Sequence, residues 1–386
     1  MKQDYDVVIA GGSVSGLLAA REIAASGYSV LVLEEDSEIG TPEHCGGLVS
    51  INGIRDLGIL PSNNVIENRI KNARIYSPSK NFELDTQNQK VIVLERRIFD
   101  KLIALQASKL GAEIRIKCSF RRIQKPESAA NECFNIETSD GKMRSRYLVD
   151  ARGIASLIQT DREGVLHSAQ YEVHAPWIKK DTVIVNFDNI KYPGFFAWII
   201  PTAEGRGKVG VAGRSINAAR TLMSYMQSKG ENFCVIRKVF SPIWIKGPIS
   251  KFVIGRLIVV GDAAGQTKPT TAGGIYSCGL GGILAGRAIV KAIEEKNDRL
   301  LQEYETNWDY VFRKEFKNML LFRNLFERLD NKSLDALFSK ISRRDAEMIS
   351  ISGDFDFHAI TLVKLLGFSG ITMLKSIVDN EIRRFL

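Results

Sequence analysis

Asp6-Val7-Val8-Ile9-Ala10-Gly11-Gly12-Ser13-Val14-Ser15-Gly16 sets the architecture of this chain. Asp6 to Ala10 reads as a buried parallel strand. A glycine turn follows, then a helix from about Ser15 to Ser26 carrying Leu17, Leu18 and Ile23, then a second strand from Tyr28 to Leu33. This is a βαβ unit of the Rossmann kind. A helix that opens directly from such a turn offers N–H groups and a partial positive charge to a pyrophosphate. Glu34, with Glu35 beside it, stands at the tip of the second strand, where a carboxylate accepts hydrogen bonds from the two hydroxyls of an adenosine ribose. Ser13 replaces the middle glycine of the usual Gly-x-Gly-x-x-Gly, and its hydroxyl offers the phosphate a bond. Gly11, Ser13, Ser15, Gly16, Glu34 and Glu35 are therefore expected to hold a dinucleotide, with NAD and FAD equally served by this motif alone.

A second motif separates the two. Leu257-Ile258-Val259-Val260-Gly261-Asp262-Ala263-Ala264-Gly265 again ends an apolar strand in an acidic residue followed by small ones, far downstream, and runs into Lys268-Pro269-Thr270-Thr271-Ala272-Gly273-Gly274-Ile275. An NAD domain has no use for it, whereas the ribityl chain of a flavin has hydroxyls for Asp262 to hold. Gly273 and Gly274 open a helix whose N–H groups would face the pyrimidine end of the flavin, where negative charge appears on reduction. The cofactor expected is FAD. The small residues from Gly279 to Gly286 would form a packing face in a membrane, but Arg287 and the short length place them on a helix buried in the nucleotide domain.

The remaining chain supplies a second lobe. Stretches around Arg69 to Tyr76 and Asn81 to Asp85 pair as antiparallel strands, a helix runs from Ile98 to Leu110, and Glu113 to Lys117, Asn135 to Thr138 and Tyr147 to Asp150 read as further strands. Thr182 to Phe187, Phe195 to Ile200 and Lys208 to Ala212 form a sheet in a separate lobe, and from Asp298 the pattern is helical. Phe316 to Leu329 and Ala359 to Val378 are the apolar parts of that tail, packed on the protein or laid on an anionic lipid surface. At 386 residues, 45% hydrophobic and 25% charged, the chain has an ordinary globular balance. Its net charge of +9 is spread without a basic run, which suits anionic lipid or an acidic partner better than nucleic acid. Five scattered cysteines with no Cys-x-x-Cys pair exclude the usual zinc or iron–sulfur clamp, so no metal is expected, and they fit a reducing interior. With no apolar signal core and no run of eighteen apolar residues, a cytoplasmic protein is expected, at most peripheral to a membrane.

The two motifs, with Glu95-Arg96-Arg97-Ile98-Phe99-Asp100 and Tyr147-Leu148-Val149-Asp150-Ala151-Arg152-Gly153 between them, resemble the FAD-dependent aromatic hydroxylase superfamily and, more closely, its geranylgeranyl reductase branch. Glu43-His44-Cys45-Gly46-Gly47 is similar to the cysteine–glycine loop that these reductases place beside the flavin. Phe196-Ala197-Trp198-Ile199-Ile200-Pro201, followed by Gly210, is similar to their aromatic-x-Trp-x-Phe-Pro signature of the lipid pocket, and Pro269 with Gly274-Ile275-Tyr276 matches their flavin motif. Phe196, Ile200 and Ala212 depart from the family's Tyr, Phe and Gly, and Arg152 stands where the hydroxylases carry the Asp that links their flavin and NADPH sites.

The resemblance implies a split Rossmann-like FAD domain over 1–66, 92–160 and 250–295, an inserted antiparallel-sheet substrate domain over 67–91 and 161–249, and a C-terminal helical region over 296–386. It implies a reductase of C=C bonds in geranylgeranyl chains, on archaeal ether lipids such as digeranylgeranylglycerophospholipid, with ferredoxin or NAD(P)H as the source of electrons. Cys45, Gly46, Gly47 and Arg96 join the flavin contacts, Ile275 among them, while Phe196, Trp198, Pro201 and Tyr276 line the lipid pocket. Cys45 is the expected proton donor or positioning contact at the alkene, with His44 as the second choice. A small buried cysteine in a glycine turn is the plain alternative. Two other functions remain open: a flavin monooxygenase of an aromatic or polyene substrate, and a prenyl-lipid carrier that keeps FAD as structure.

Overall fold

A computed structural model of the chain describes residues 3–124, 133–156, 158 and 162–358; the apolar stretch Ala359 to Val378 lies outside them. The chain divides into two compact units, one of Met1–Glu67, Leu94–Val165 and Pro242–Arg313, the other of Asn68–Val93, Leu166–Ser241 and Lys314–Leu386.

In the first unit the opening strand, Gln3–Ala10, lies between Val30–Leu33 and Gly141–Asp150, parallel to both. Val7, Val8, Ile9 and Ala10 have no exposed surface, as a parallel strand covered on both faces requires. The sheet runs in the order Val253–Ile254, Leu257–Val259, Gly141–Asp150, Gln3–Ala10, Val30–Leu33, Glu113–Arg115. Phe134–Thr138 pairs antiparallel with both Gly141–Asp150 and Phe120–Gln124. The helices are α1 (Val14–Ala25), α2 (Ile51–Asp56), α3 (Arg96–Lys109), α4 (Ala218–Lys229), α5 (Ile275–Glu294), α6 (Gln302–Arg328), α7 (Asn331–Ser339) and α8 (Arg343–Ser352). α1 packs on α3 and most extensively on α5. The small residues of α5 make that approach possible: a Cβ at Gly282 would lie 2.1 Å from the Ser15 carbonyl oxygen, and one at Gly286 2.8 Å from that of Ala19.

The second unit is built on an antiparallel sheet in the order Cys234–Phe240, Val165–His174, Arg206–Gly213, Ala197–Ala203, Thr182–Asn186, Asn72–Tyr76, Asn81–Asp85, with one parallel pairing, between Thr182–Asn186 and Asn72–Tyr76. Ala169, Tyr171 and Val173 of the central strand meet Ala197, Ile199, Val209 and Val211 in its core, closed by Leu222 and Met226 of α4. Cys234–Phe240, Val165–His174 and α4 had not been read from the sequence. The apolar stretch Phe316 to Leu329 covers the end of α6 and the residue after it, and Leu325 and Leu329 pack on Leu334 and Leu337 of α7.

Candidate cofactor and catalytic site

The nucleotide cradle begins where Gln3–Ala10 turns into α1. Gly11 has φ +110, and a Cβ there would lie 2.4 Å from the Ala151 carbonyl oxygen, so only glycine lets the turn pass this close to the neighbouring strand end. Ser13 caps α1 without closing its own side chain on the helix, and Gly274 does the same for α5, whereas α3, α4, α7 and α8 are each closed by a capping side chain. The first turns of α1 and α5 thus keep their N–H groups for a ligand. Glu34 accepts the Gly12 N–H at 2.9 Å on one carboxylate oxygen and the Asp36 N–H at 2.9 Å on the other; Glu35 is exposed beside it.

Ser15 has a different task. It is buried, and a Cβ on Gly261 would lie 2.4 Å from its Oγ, so Ser15 is where the two sequence motifs touch. Past that contact Asp262 is exposed while Ala263 and Ala264 are buried. One Asp262 oxygen accepts from the Thr267 hydroxyl and, at 3.5 Å, from the Cys278 thiol. Burial, with Asp262 adding to it, pushes the Cys278 thiol well above its ordinary pKa, so it serves as a neutral donor. An open helix start, a ribose-side carboxylate at a strand tip and a second exposed carboxylate beside another open helix start fit the two halves of FAD.

Cys45 sits on a loop that glycine holds against the chain. Gly47, at φ +77, would bring a Cβ to 2.5 Å from the Leu94 carbonyl oxygen, and the Gly47 carbonyl accepts the Leu94 N–H at 2.9 Å. The Gly47 N–H donates to the Cys45 sulfur at 3.3 Å. The Arg96 guanidinium also bonds Cys45 and grips Asp100, one turn on, through Nε at 2.9 Å and Nη2 at 2.8 Å. Burial alone would depress Arg96, but Asp100 and Cys45 outweigh it and raise its pKa. Arg96, expected as a flavin or pyrophosphate contact, is thus engaged with Cys45 and Asp100. Glu43 is buried below and accepts the Arg96 backbone N–H at 3.4 Å. His44 reaches solvent; the loop still desolvates it enough to lower its pKa, with Asp36 opposing and Arg96 adding to the shift.

Arg152 is held differently from an acidic residue in its place. Its Nε donates at 3.0 Å to the fully buried Asp150, which also accepts from Ser156 at 3.0 Å, and its guanidinium lies 4.5 Å from the centre of the Phe120 ring.

In the second unit Phe196 and Trp198 stand edge to face at 6.0 Å, and Phe195 stacks on Phe196 at 4.1 Å. The Trp198 indole lies over Gly210, where a Cβ would come within 2.2 Å of the ring, and its Nε1 donates to Gln170 at 3.1 Å. Pro201 is buried, and its carbonyl accepts from Asn68 at 2.8 Å. Tyr276 belongs to the first unit, on α5, with its ring 5.6 Å from that of Phe312. Sequence reading missed Asp100, Thr267 and Cys278. Arg96 and Asp100, four residues apart, were a usable signal, hidden because the helix was expected only from Ile98; no local pattern announced Cys278, because its meeting with Asp262 depends on the turn Gly261–Ala264 and α5 folding together. Among the described residues no group of three or more His, Cys, Asp or Glu is arranged to hold a metal, and no helix is long and apolar enough to cross a membrane.

Residues 4–232 match the model of a family described as FAD binding domain. Over 89% of its length the chain is 30% identical to digeranylgeranylglycerophospholipid reductase 2 of Methanopyrus kandleri, covering 91% of that protein. It is 32% identical to the reductase of that name from Methanothermobacter thermautotrophicus, over 90% of this chain and 94% of the other. A solved geranylgeranyl bacteriochlorophyll reductase-like protein from Thermoplasma acidophilum shares the fold with a TM-score of 0.86 at 23% identity, covering 98% of this chain and all of that one. The p-nitrophenol 4-monooxygenase of Pseudomonas putida shares it at 0.67 and 18% identity, over 96% and 98%.

Proposed function

The chain belongs to the digeranylgeranylglycerophospholipid reductase family, flavoproteins built on the FAD binding domain, and on that footing we propose that it saturates the C=C bonds of geranylgeranyl chains on a membrane glycerophospholipid. Bound and reduced, FAD would supply the hydride. The chain's own residues supply the rest. The open start of α1 would take the pyrophosphate, Glu34 the adenosine ribose and Asp262 the ribityl hydroxyls, and the open start of α5 would be left for the pyrimidine end. An isolated alkene is polarised by no carbonyl, so the proton has to be waiting at a fixed atom in a dry site. Cys45 Sγ is that atom in this reading, fixed by the Gly47 N–H and Arg96.

The observation that carries the proposal is the held thiol of Cys45. A soft thiol is a poor neighbour for oxygenating chemistry, because sulfur climbs readily to sulfenic and sulfinic acids, and a cation in place of the hydroxylase acid at Arg152 points the same way. As part of the proposal, electrons come from a protein donor such as ferredoxin in preference to NADPH, and the enzyme meets its lipid from the cytoplasmic side as a peripheral protein. The test is mass spectrometry of digeranylgeranylglycerophospholipid after turnover with a chemical reductant. Gain of one dihydrogen equivalent per double bond is expected. Flavin reoxidised by lipid with an added oxygen atom would replace the reductase by a monooxygenase, and lipid returned unchanged would leave a carrier.

A further inference from the structure

The loop that leads from Leu257–Val259 into α5 is closed on itself by one glutamine. Gln266 has no exposed surface. Its N–H donates to the Gly261 carbonyl at 3.1 Å, and its Oε1 accepts the Gly261 N–H at 2.8 Å. Its Nε2 donates to the Tyr304 hydroxyl at 2.9 Å, which donates in turn to the Val259 carbonyl at 2.8 Å. Ser277, in the first turn of α5, donates to the Gln266 carbonyl at 2.6 Å. A Cβ on Gly281 would lie 2.2 Å from Gln266 Oε1, so glycine is what lets α5 rest on this loop.

The closure brings Thr267 and Cys278, five and sixteen residues from Asp262, onto a single carboxylate oxygen. Asp262 Oδ1 accepts from the Thr267 hydroxyl and from the Cys278 thiol at 3.5 Å, and hydroxyl and thiol lie 3.6 Å apart. Gly274 closes over all three, since a Cβ there would lie 2.9 Å from Cys278 Sγ, 3.0 Å from Thr267 Oγ1 and 3.5 Å from Asp262 Oδ1. Thr267 and Cys278 are buried, whereas Asp262 is exposed and nothing among the described residues donates to its other oxygen. Water alone satisfies an exposed carboxylate, so two buried donors add little by way of hydrogen bonding. What they add is orientation, with one oxygen pinned and the other left for a ligand.

We infer that Thr267 and Cys278 are positioning residues for the cofactor, which hold one oxygen of Asp262 so that the other meets a ribityl hydroxyl of FAD. The inference rests on the proposed function for the role of Asp262, and its test needs no turnover. Holoenzyme is diluted and FAD release followed by flavin fluorescence for wild type, Thr267→Val, Thr267→Ser and Cys278→Ala, each also in an Asp262→Ala background. Thr267→Val should speed release by about twofold to tenfold, the cost of ordering one side chain only on binding. Cys278→Ala should have a smaller effect, because a thiol is the weaker donor, and Thr267→Ser, which keeps the hydroxyl, should release as slowly as wild type. In the Asp262→Ala background Thr267→Val and Cys278→Ala should change nothing further, since residues that act through Asp262 have nothing left to hold. Acceleration of the same size in both backgrounds would overturn the inference, because the pair would then only pack the loop. Asp262→Ala that releases FAD as slowly as wild type would remove Asp262 from the cofactor site and the inference with it. A fast-releasing Asp262→Ala beside an unaffected Thr267→Val would leave Asp262 in its role and strike out only its holders.

Discussion

Glu34 accepts two backbone N–H groups, from Gly12 and Asp36, with no ligand needed to align it. A carboxylate already oriented meets a ribose at little further entropic cost. Glu34→Ala should therefore weaken FAD by roughly 1.5–3 kcal/mol if the lost bonds are charge-assisted; titration of the apoprotein with FAD measures it, and unchanged affinity would take Glu34 out of the cradle. Cys45 gives the second prediction at this scale. Cys45→Ala should leave FAD content and flavin reduction intact while slowing lipid-dependent reoxidation by about 10²–10⁴, the usual worth of a positioned proton donor. A packed cysteine would show nearly normal reoxidation, and one needed for the loop would lose FAD as well. The turn at Gly11 and the strand-tip place of Glu34 were legible because motif geometry fixes them. Pairs that meet across the chain, such as Arg96 with Cys45, were not, because the fifty residues between them have to fold before they meet.

At the scale of elements, the βαβ unit was legible within three residues, since its strands run Gln3–Ala10 and Val30–Leu33 and α1 runs Val14–Ala25. Continuous apolar runs and a glycine turn leave little choice there. Val165–His174 escaped notice although Ala169, Tyr171 and Val173 alternate with Ser168, Gln170 and Glu172. Both faces of that strand are buried, and its polar residues have poor strand propensity, so composition hid a correct period. The glycines of α5 were read as packing positions, and the structure supplies the partner, α1. Gly282→Ala should consequently cost about 1–3 kcal/mol or more, because its Cβ would meet the Ser15 backbone, which cannot rotate away. Chemical denaturation measures the loss. Since Ser15 also touches Gly261, the variant should release FAD as well, and a variant as stable and as yellow as wild type would show that the two helices can part freely.

For the whole molecule the relevant quantities are charge and the route of electrons. The net charge of +9 is distributed along the chain, and a field of that sign draws in an acidic protein donor as readily as an anionic membrane. NADPH finds no second dinucleotide fingerprint in the sequence, and the position from which hydroxylases link flavin to NADPH holds Arg152, tied to Asp150 and laid on Phe120. Stopped-flow bleaching of the flavin should thus be slow with NADPH and fast with reduced ferredoxin. Charge makes the second half of this prediction sharper. If long-range attraction brings the donor in, the bimolecular rate should fall steeply, on the order of tenfold, as salt shortens the screening length from about 30 Å at 0.01 M to about 8 Å at 0.15 M. A small dithionite-type reductant, which needs no docking, should show much weaker dependence in the same buffers. Fast reduction by NADPH at micromolar affinity would return the monooxygenase reading to consideration, and a ferredoxin rate indifferent to salt would mean that the positive charge serves the lipid surface and not the donor.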